Sequence, residues 1–391
     1  MLGLITVLTS AAQAGGAAGQ GQGLPPLPQT GRQAPPQLTA AITDGTGAVV
    51  IAWSQKEATP GGYTAGTDRL YAARLGPGGW TRLGGLLNED ARHNVSRLQA
   101  QLGPDGQPWL SWAEDAGIAH VDSTILSRWD GRAWSASAHY ALRRNLSDAG
   151  KSSAFAVLPD GVPFLVWVNI YYPGAAAAVV QIAERNEPSW TFGRPLNVSL
   201  KNNAFFPAAA AALDGTRYAA WLEGDVARSA VRVARQRPGE PWKLLGDPLN
   251  FRTGTYTSAP VMRLTPAGEP VVAWLEDHQG LDHVFVKRWN GMRWVALGAA
   301  LNVNAQASAA RPSLALDQQG QAVVAWAEQR GQEPERVYVR RWTGRTWTLL
   351  GGAALNTSLQ ARAYQPSVTV DGAGHVVVAW CQESGVLVRR F

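Results

Sequence analysis

A segment ending in tryptophan recurs seven times along this chain, and that recurrence decides what the chain can fold into. The copies read AVVIAWSQ, QPWLSWAE, VPFLVWVN, TRYAAWLE, PVVAWLE, AVVAWAE and VVVAWCQ. Their tryptophans are Trp53, Trp112, Trp167, Trp221, Trp274, Trp326 and Trp380, spaced by 59, 55, 54, 53, 52 and 54 residues. Each copy follows a short alternating run and an Asp/Gly turn, as in PSLALDQQGQAVVAW, which reads as a β-hairpin. A second strand pair comes next, as in VYVRRWTGRTWTLLGGAALN, turning at Thr343-Gly344. Helical periodicity is absent over any useful length.

Seven units of four antiparallel strands predict an all-β fold, a seven-bladed β-propeller. One unit cannot bury both faces of its sheet, so neighbours must stack around an axis. A second set of tryptophans, Trp80, Trp134, Trp190, Trp242, Trp294 and Trp347, opens the fourth strands. Each large ring buries roughly 150–250 Å² between adjacent sheets. Residues present in every unit build the unit, so the strand tryptophans are assigned to architecture rather than to sugar stacking.

The register also predicts how the ring shuts. Asn88, Asn197, Asn250, Asn302 and Asn356 each lie 24 residues before the next repeat tryptophan, and Asn145 lies 22 before Trp167. The last unit ends at VLVRRF without a fourth strand. Residues near Gln20 to Gln29 are expected to supply it, because prolines that would disqualify a central strand are tolerated at an edge. The expected organisation is one propeller over residues 15–391, with 20–36 as closing strand and linker.

EPVVAWLED, VFVKRWNGMRWVALGAALN and VYVRRWTGRTWTLLGGAALN resemble the units of a group of bacterial exported repeat proteins with PVVAW and VYVKRWNG…W…LGG.LN signatures. The resemblance runs from about residue 37 to the end and is strongest from Pro248 onward. The first three units are degenerate: the second keeps Trp129-Asp130-Gly131, while the first turns at Gly76-Pro77-Gly78-Gly79. It implies a propeller and export, and no assured activity.

Leu2 to Ala12 is apolar and leads into Ala12-Gln13-Ala14, which reads as a signal peptide over residues 1–14, although a basic n-region is missing. Export to the periplasm, cell surface or medium is therefore expected. No segment is long and apolar enough for a membrane helix. At 46% hydrophobic and 16% charged, the chain is not of the disordered class. One Cys excludes an intramolecular disulfide framework, and six His leave little for a zinc site. GxSxG, HExxH and phosphate-loop motifs are absent, so no cofactor is assigned. A monomer is expected.

Two residues after each repeat tryptophan stands Gln55, Glu114, Asn169, Glu223, Glu276, Glu328 or Gln382. These form a polar ring on the face where the connections between blades and the second-to-third strand loops emerge. Two uses are open to them: holding a polar ligand or cation, or accepting backbone N–H bonds that lock blade to blade. Departures from the repeat are more specific. Tyr171, Tyr172, Phe205 and Phe206 offer aromatics to a sugar or a partner, or pack beneath long loops. Glu276, Asp277 and His278 face Asp282 and His283 across a short loop, with no spacing diagnostic of a metal site, so no metal is assigned. The longest variable loop lies between Gln55 and Arg69.

The net charge is +6, with thirty Arg and five Lys. Lys287-Arg288, Arg340-Arg341 and Arg389-Arg390 read as a solvated basic rim, able to attract anionic polymers weakly. The aromatic interleaving of a base-stacking protein is missing, so specific nucleic-acid binding is not expected. These features favour an exported, non-catalytic binding or scaffold propeller with a glycan or envelope-protein partner. The alternatives are a carbohydrate-active hydrolase using the ring carboxylates, for which no sialidase-type arginine triad is evident, and a purely structural envelope protein.

Overall fold

The computed structural model describes residues 21–28, 35–57, 67–115, 122–135, 153–170, 172–175, 177–186, 189–225 and 227–391. The apolar leader, Asn145 and Tyr171 lie outside them. All regular structure among the described residues is β, arranged as seven antiparallel sheets.

Blade 1 comprises Thr39–Thr43, Val49–Glu57, Thr67–Gly76 and Gly79–Arg82. Blade 2 has Asn94–Leu102, Pro108–Asp115 and Asp122–Arg128, with a single Trp129–Trp134 bridge in place of a fourth strand. Blade 3 is Ser153–Val157, Pro163–Asn169, Val179–Asn186 and Ser189–Phe192. Blade 4 is Asn203–Ala211, Arg217–Gly224, Ser229–Gln236 and Lys243–Leu244. Blade 5 is Thr257–Leu264, Pro270–His278, Leu281–Trp289 and Trp294–Ala296. Blade 6 is Ser308–Leu316, Ala322–Gln329, Arg336–Trp342 and Trp347–Leu349.

Blade 7 draws on both ends of the chain. Ala363–Val370, Val376–Gln382 and Gly385–Arg390 are completed by Gln22–Gly23, which pairs with Arg390 and Arg389. The closing segment reproduces the bonds of an ordinary fourth strand. Leu24 N–H donates to Val388 O at 2.9 Å, as Leu83 N–H does to Ala72 O and Leu245 N–H to Val233 O. Trp80 Nε1 donates to Pro25 O at 2.9 Å, as Trp134 does to Leu83 O and Trp294 to Leu245 O in the neighbouring pairs. Leu27 is buried among Trp53, Tyr71, Val377 and Ala379. Nearer the axis, Thr39 Oγ1 donates to Gln365 O at 2.6 Å and Ala41 N–H to Ser367 Oγ at 2.8 Å. Sequence-distant ends thus share one sheet and one apolar cluster.

The seven repeat tryptophans are all buried, none more than 2% exposed. They stand in apolar clusters that alternate with the sheets around the ring. The innermost strands pair on one side only, and their other edge lines an axial channel of about 270 Å³. Five of these strands carry a bulge at which a non-glycine residue is left-handed: Arg97, Phe206, Ala259, Arg311 and Gln365, with φ between 47° and 53°. The last four are followed by Pro207, Pro260, Pro312 and Pro366. Such a conformation costs an L-residue roughly 1–2 kcal/mol. Its recurrence at one register marks a built bend rather than an accident.

The reading of the third-strand arginines as a solvated rim needs correction. Arg74 pairs with Asp44 at 2.6 Å, Arg288 with Glu269 at 2.8 Å, Arg341 with Asp317 at 2.7 Å and Arg390 with Asp371 at 3.2 Å. Arg128 makes the same link to Asp105. Each guanidinium thus ties a third strand to the hairpin turn joining the first two. The reason is reach: the turn acid and the third-strand basic residue lie on the same face, two strands apart, and the long stem spans the gap along apolar surface.

Removing residues 15–36 takes away the closing strand and Leu27 together. The melting temperature of the truncated chain is expected to fall by many degrees in calorimetry, and an unchanged value contradicts closure by this segment.

Candidate functional site

The polar ring two residues past the repeat tryptophans sits at the ends of the second strands, beneath the loops that cross from one blade to the next. Glu276 is fully buried. Its carboxylate accepts Phe251 N–H at 2.9 Å, Arg252 N–H at 2.8 Å and its own blade's Trp274 Nε1–H at 3.2 Å. Glu114 accepts Glu89 N–H at 2.6 Å, Asp90 N–H at 3.1 Å and Trp112 Nε1–H at 2.9 Å. Glu223 takes Val198, Ser199 and Trp221, and Glu328 takes Val303, Asn304 and Trp326. Charge-assisted bonds of this kind are roughly twice as strong as neutral ones.

The residue just before each donor pair completes the arrangement. Asn88 Oδ1 accepts Leu70 N–H, while its Nδ2 donates to Asp68 O and His93 O. Asn197, Asn250, Asn302 and Asn356 likewise accept a third-strand N–H of the blade being left. Four crossovers are therefore fixed to the old blade by asparagine and to the new blade by glutamate, and the one after Asn356 uses Gln382 in the glutamate's place. This is why the asparagine-to-tryptophan spacing is constant: a longer or shorter crossover would miss one anchor.

The other three ring residues are buried too. Gln382 Oε1 accepts Trp380 Nε1–H and Thr357 N–H, both at 3.4 Å, and its Nε2 donates to Thr357 Oγ1. Asn169 Nδ2 donates to Gln181 Oε1 at 2.9 Å. Gln55 Nε2 lies 3.4 Å from Glu57 Oε1. The ring is thus engaged with the protein's own polar groups, and the surface above it is made by other residues.

The aromatic candidates separate. Phe205 is half-buried against the core between blades 3 and 4, and Tyr172 is half-buried as well. Phe206, displaced by the bulge, is 38% exposed. Phe251, which sequence reasoning passed over, is 41% exposed and stacks on Trp274 with rings 5.9 Å apart and 17° from parallel. Lys287 lies over the Phe251 ring at 4.5 Å. The signal for Phe251 was available, since it immediately follows the crossover asparagine Asn250.

His278 and His283 belong to a hairpin in which Glu276 faces His283 and Asp277 faces Asp282. Its two-residue turn places Gln279 and Gly280 at φ 62° and 83°, the conformation that suits hairpin twist. The imidazoles stack 5.4 Å apart, and burial together with His278 pushes the His283 pKa down. Burial and Asp277 push the Asp282 carboxyl up. Among the described residues no group of three or more His, Cys, Asp or Glu is placed to hold a metal ion.

What the crossover face does offer is a cleft of about 490 Å³ on blade 4, between the crossover that enters it and the one that leaves it. Lys201, Asn202, Arg228 and Thr253 line it, exposed and with side chains that make no hydrogen bond among the described residues. Glu223 and Asn250, the two anchors of neighbouring crossovers, border the same cleft. Asp225 is also at the wall, its carboxyl held below the usual range by the Ala227 and Arg228 amides. Phe251, Val198 and Val303, each directly after a crossover asparagine, are exposed on the same face.

Blade 7 predicts how the anchors respond to mutation, because it already carries glutamine. Glu328→Ala leaves three donors without their acceptor and should cost roughly 2–4 kcal/mol by denaturant unfolding. Glu328→Gln should cost much less. Burial, the largest influence, raises the Glu328 pKa above its ordinary value. The unfolded chain therefore loses this proton first as pH rises. Relative to Glu328→Gln, the native protein should lose stability from the ordinary glutamate range up through the raised value; parallel pH profiles would contradict this.

No protein-family profile matches the chain, and no curated protein does. Solved structures match over most of its length. The alpha-L-arabinanase of Penicillium chrysogenum, complexed with arabinobiose, is 11% identical, covers 92% of this chain and 96% of its own, and has a TM-score of 0.50. An alpha-L-arabinofuranosidase of Fusarium graminearum is 9% identical, with coverage of 95% and 98% and a TM-score of 0.50. The SapL1 lectin, in complex with alpha methyl fucoside, is 14% identical, with coverage of 83% and 97% and a TM-score of 0.47. At these identities the likeness is one of fold alone.

Proposed function

We propose that this chain is an exported, non-catalytic binding propeller that holds a glycan in the cleft on blade 4, between the crossovers that enter and leave it. One observation carries the reading. The ring carboxylates that a glycosidase would need are committed to backbone and indole N–H groups, whereas the cleft beside them is lined by side chains with unused hydrogen-bonding capacity. Sugar recognition needs donors and acceptors for hydroxyls, together with apolar surface for the C–H faces of the ring. Lys201, Asn202, Arg228 and Thr253 supply the first, and exposed Phe251, next to the cleft residue Asn250, supplies the second.

A fixed frame suits this role. Side chains on loops anchored at both ends lose little freedom on binding, so more of the contact energy appears as affinity. The frame would also let the chain act as a scaffold, with a protein partner in place of a glycan.

A glycan array run beside a panel of chromogenic glycosides tests the proposal. Retention of at least one glycan without product release is expected, with retention falling at least tenfold in Lys201→Ala/Arg228→Ala at an unchanged melting temperature. Glu223→Gln and Glu276→Gln should keep binding. Product release that disappears in those two variants means a hydrolase, and no retention of any glycan rejects the proposal.

A further inference from the structure

The axial channel is lined by residues from all seven innermost strands, and among the described residues its wall carries two arginines and no carboxylate. The two differ in their surroundings. Arg311, at the bulge, pairs with Glu335 at 3.1 Å. Arg263, four residues beyond the corresponding bulge position in blade 5, makes one hydrogen bond, from Nη1 to Met262 O at 2.9 Å, and no ion pair. Burial alone pushes its pKa down, with no acid opposing the shift. The residue is half-buried, open to the channel it lines.

A guanidinium stays charged at any pH the protein meets. Enclosed charge of one sign calls for a counter-charge, and the wall does not provide one. The rest of the wall carries no charge: Gln99, Gln101, Ser313 and Ser367 stand among alanines, prolines and a few larger apolar residues such as Val261 and Leu314. Gln101 occupies in blade 2 the register position that Arg263 holds in blade 5, both 11 residues before their repeat tryptophans. The planar fork of an arginine matches the paired oxygens of an oxyanion.

We propose that the axial channel is a binding site for a small oxyanion, of the carboxylate, phosphate or sulfate type, held by the Arg263 guanidinium. This site is separate from the cleft on the crossover face and does not depend on the glycan reading. The anion neutralises the one channel charge without an internal partner and braces the seven innermost strands from inside. Its affinity is expected to fall as salt screens the charge, though less steeply than at an exposed site.

The test uses the full chain exchanged into a buffer free of oxyanions. Phosphate, sulfate and acetate are titrated against the melting temperature at constant ionic strength made up with chloride. Saturable stabilisation by at least one of them is expected, with the half-maximal concentration raised at least tenfold in Arg263→Gln and little changed in Arg311→Gln. Which anion acts at the lowest concentration identifies the source. Equal responses in the parent chain and Arg263→Gln overturn the proposal. Crystals of the unmodified protein soaked in selenate provide a second reading that needs no variant. An anomalous selenium peak within hydrogen-bond distance of Arg263 supports the site, and a channel without one overturns it.

Discussion

The fold depends on what happens to the polypeptide each time it leaves one sheet and enters the next. At that point the backbone has no strand partner, and its N–H groups would be left unpaired under the neighbouring loops. A buried carboxylate two residues past each of four repeat tryptophans removes the problem by accepting two consecutive crossover amides and the indole N–H. The asparagine one residue earlier does the same for the sheet being left. The pair converts a flexible connection into a fixed strut, so the angle between blades is set by hydrogen bonds as well as by apolar packing.

That division of labour accounts for the mixture of residue types in the ring. Glutamate serves where two amides and an indole must all be met. Glutamine serves in blade 7, where Thr357 brings both an amide and a hydroxyl. In blade 3 Asn169 donates to Gln181 on the adjacent strand. Variation within the ring follows the local supply of donors, and no common ligand is needed to explain it. The cleft beside Glu223 is bordered by exposed side chains that make no hydrogen bond among the described residues.

The architecture was legible because its determinants are large and periodic. Seven tryptophans at near-constant spacing specify seven sheets, and a terminal unit short of one strand points to the other end of the chain for completion. Chemistry was harder to read, since Glu276 in a ligand ring and Glu276 under a crossover look the same in sequence. The third-strand arginines misled for a related reason: nothing local to Arg341 reveals that Asp317 lies within reach across a hairpin. The bulges left a trace in the proline that follows four of the left-handed residues, but proline in an innermost strand has several readings until the register shift is seen. Arg263 has no sequence signal beyond standing where its six counterparts are uncharged.

Native-state hydrogen exchange tests the strut account most directly. The amides of Phe251, Arg252, Val303 and Asn304 lie in irregular loops, where exchange is ordinarily fast. If buried glutamates hold them, they will exchange only when the whole ring opens, at the free energy of second-strand amides such as those of Trp274 and Trp326. Exchange at ordinary loop rates, with the second strands still protected, would mean that the crossovers move freely and that packing alone holds the blades.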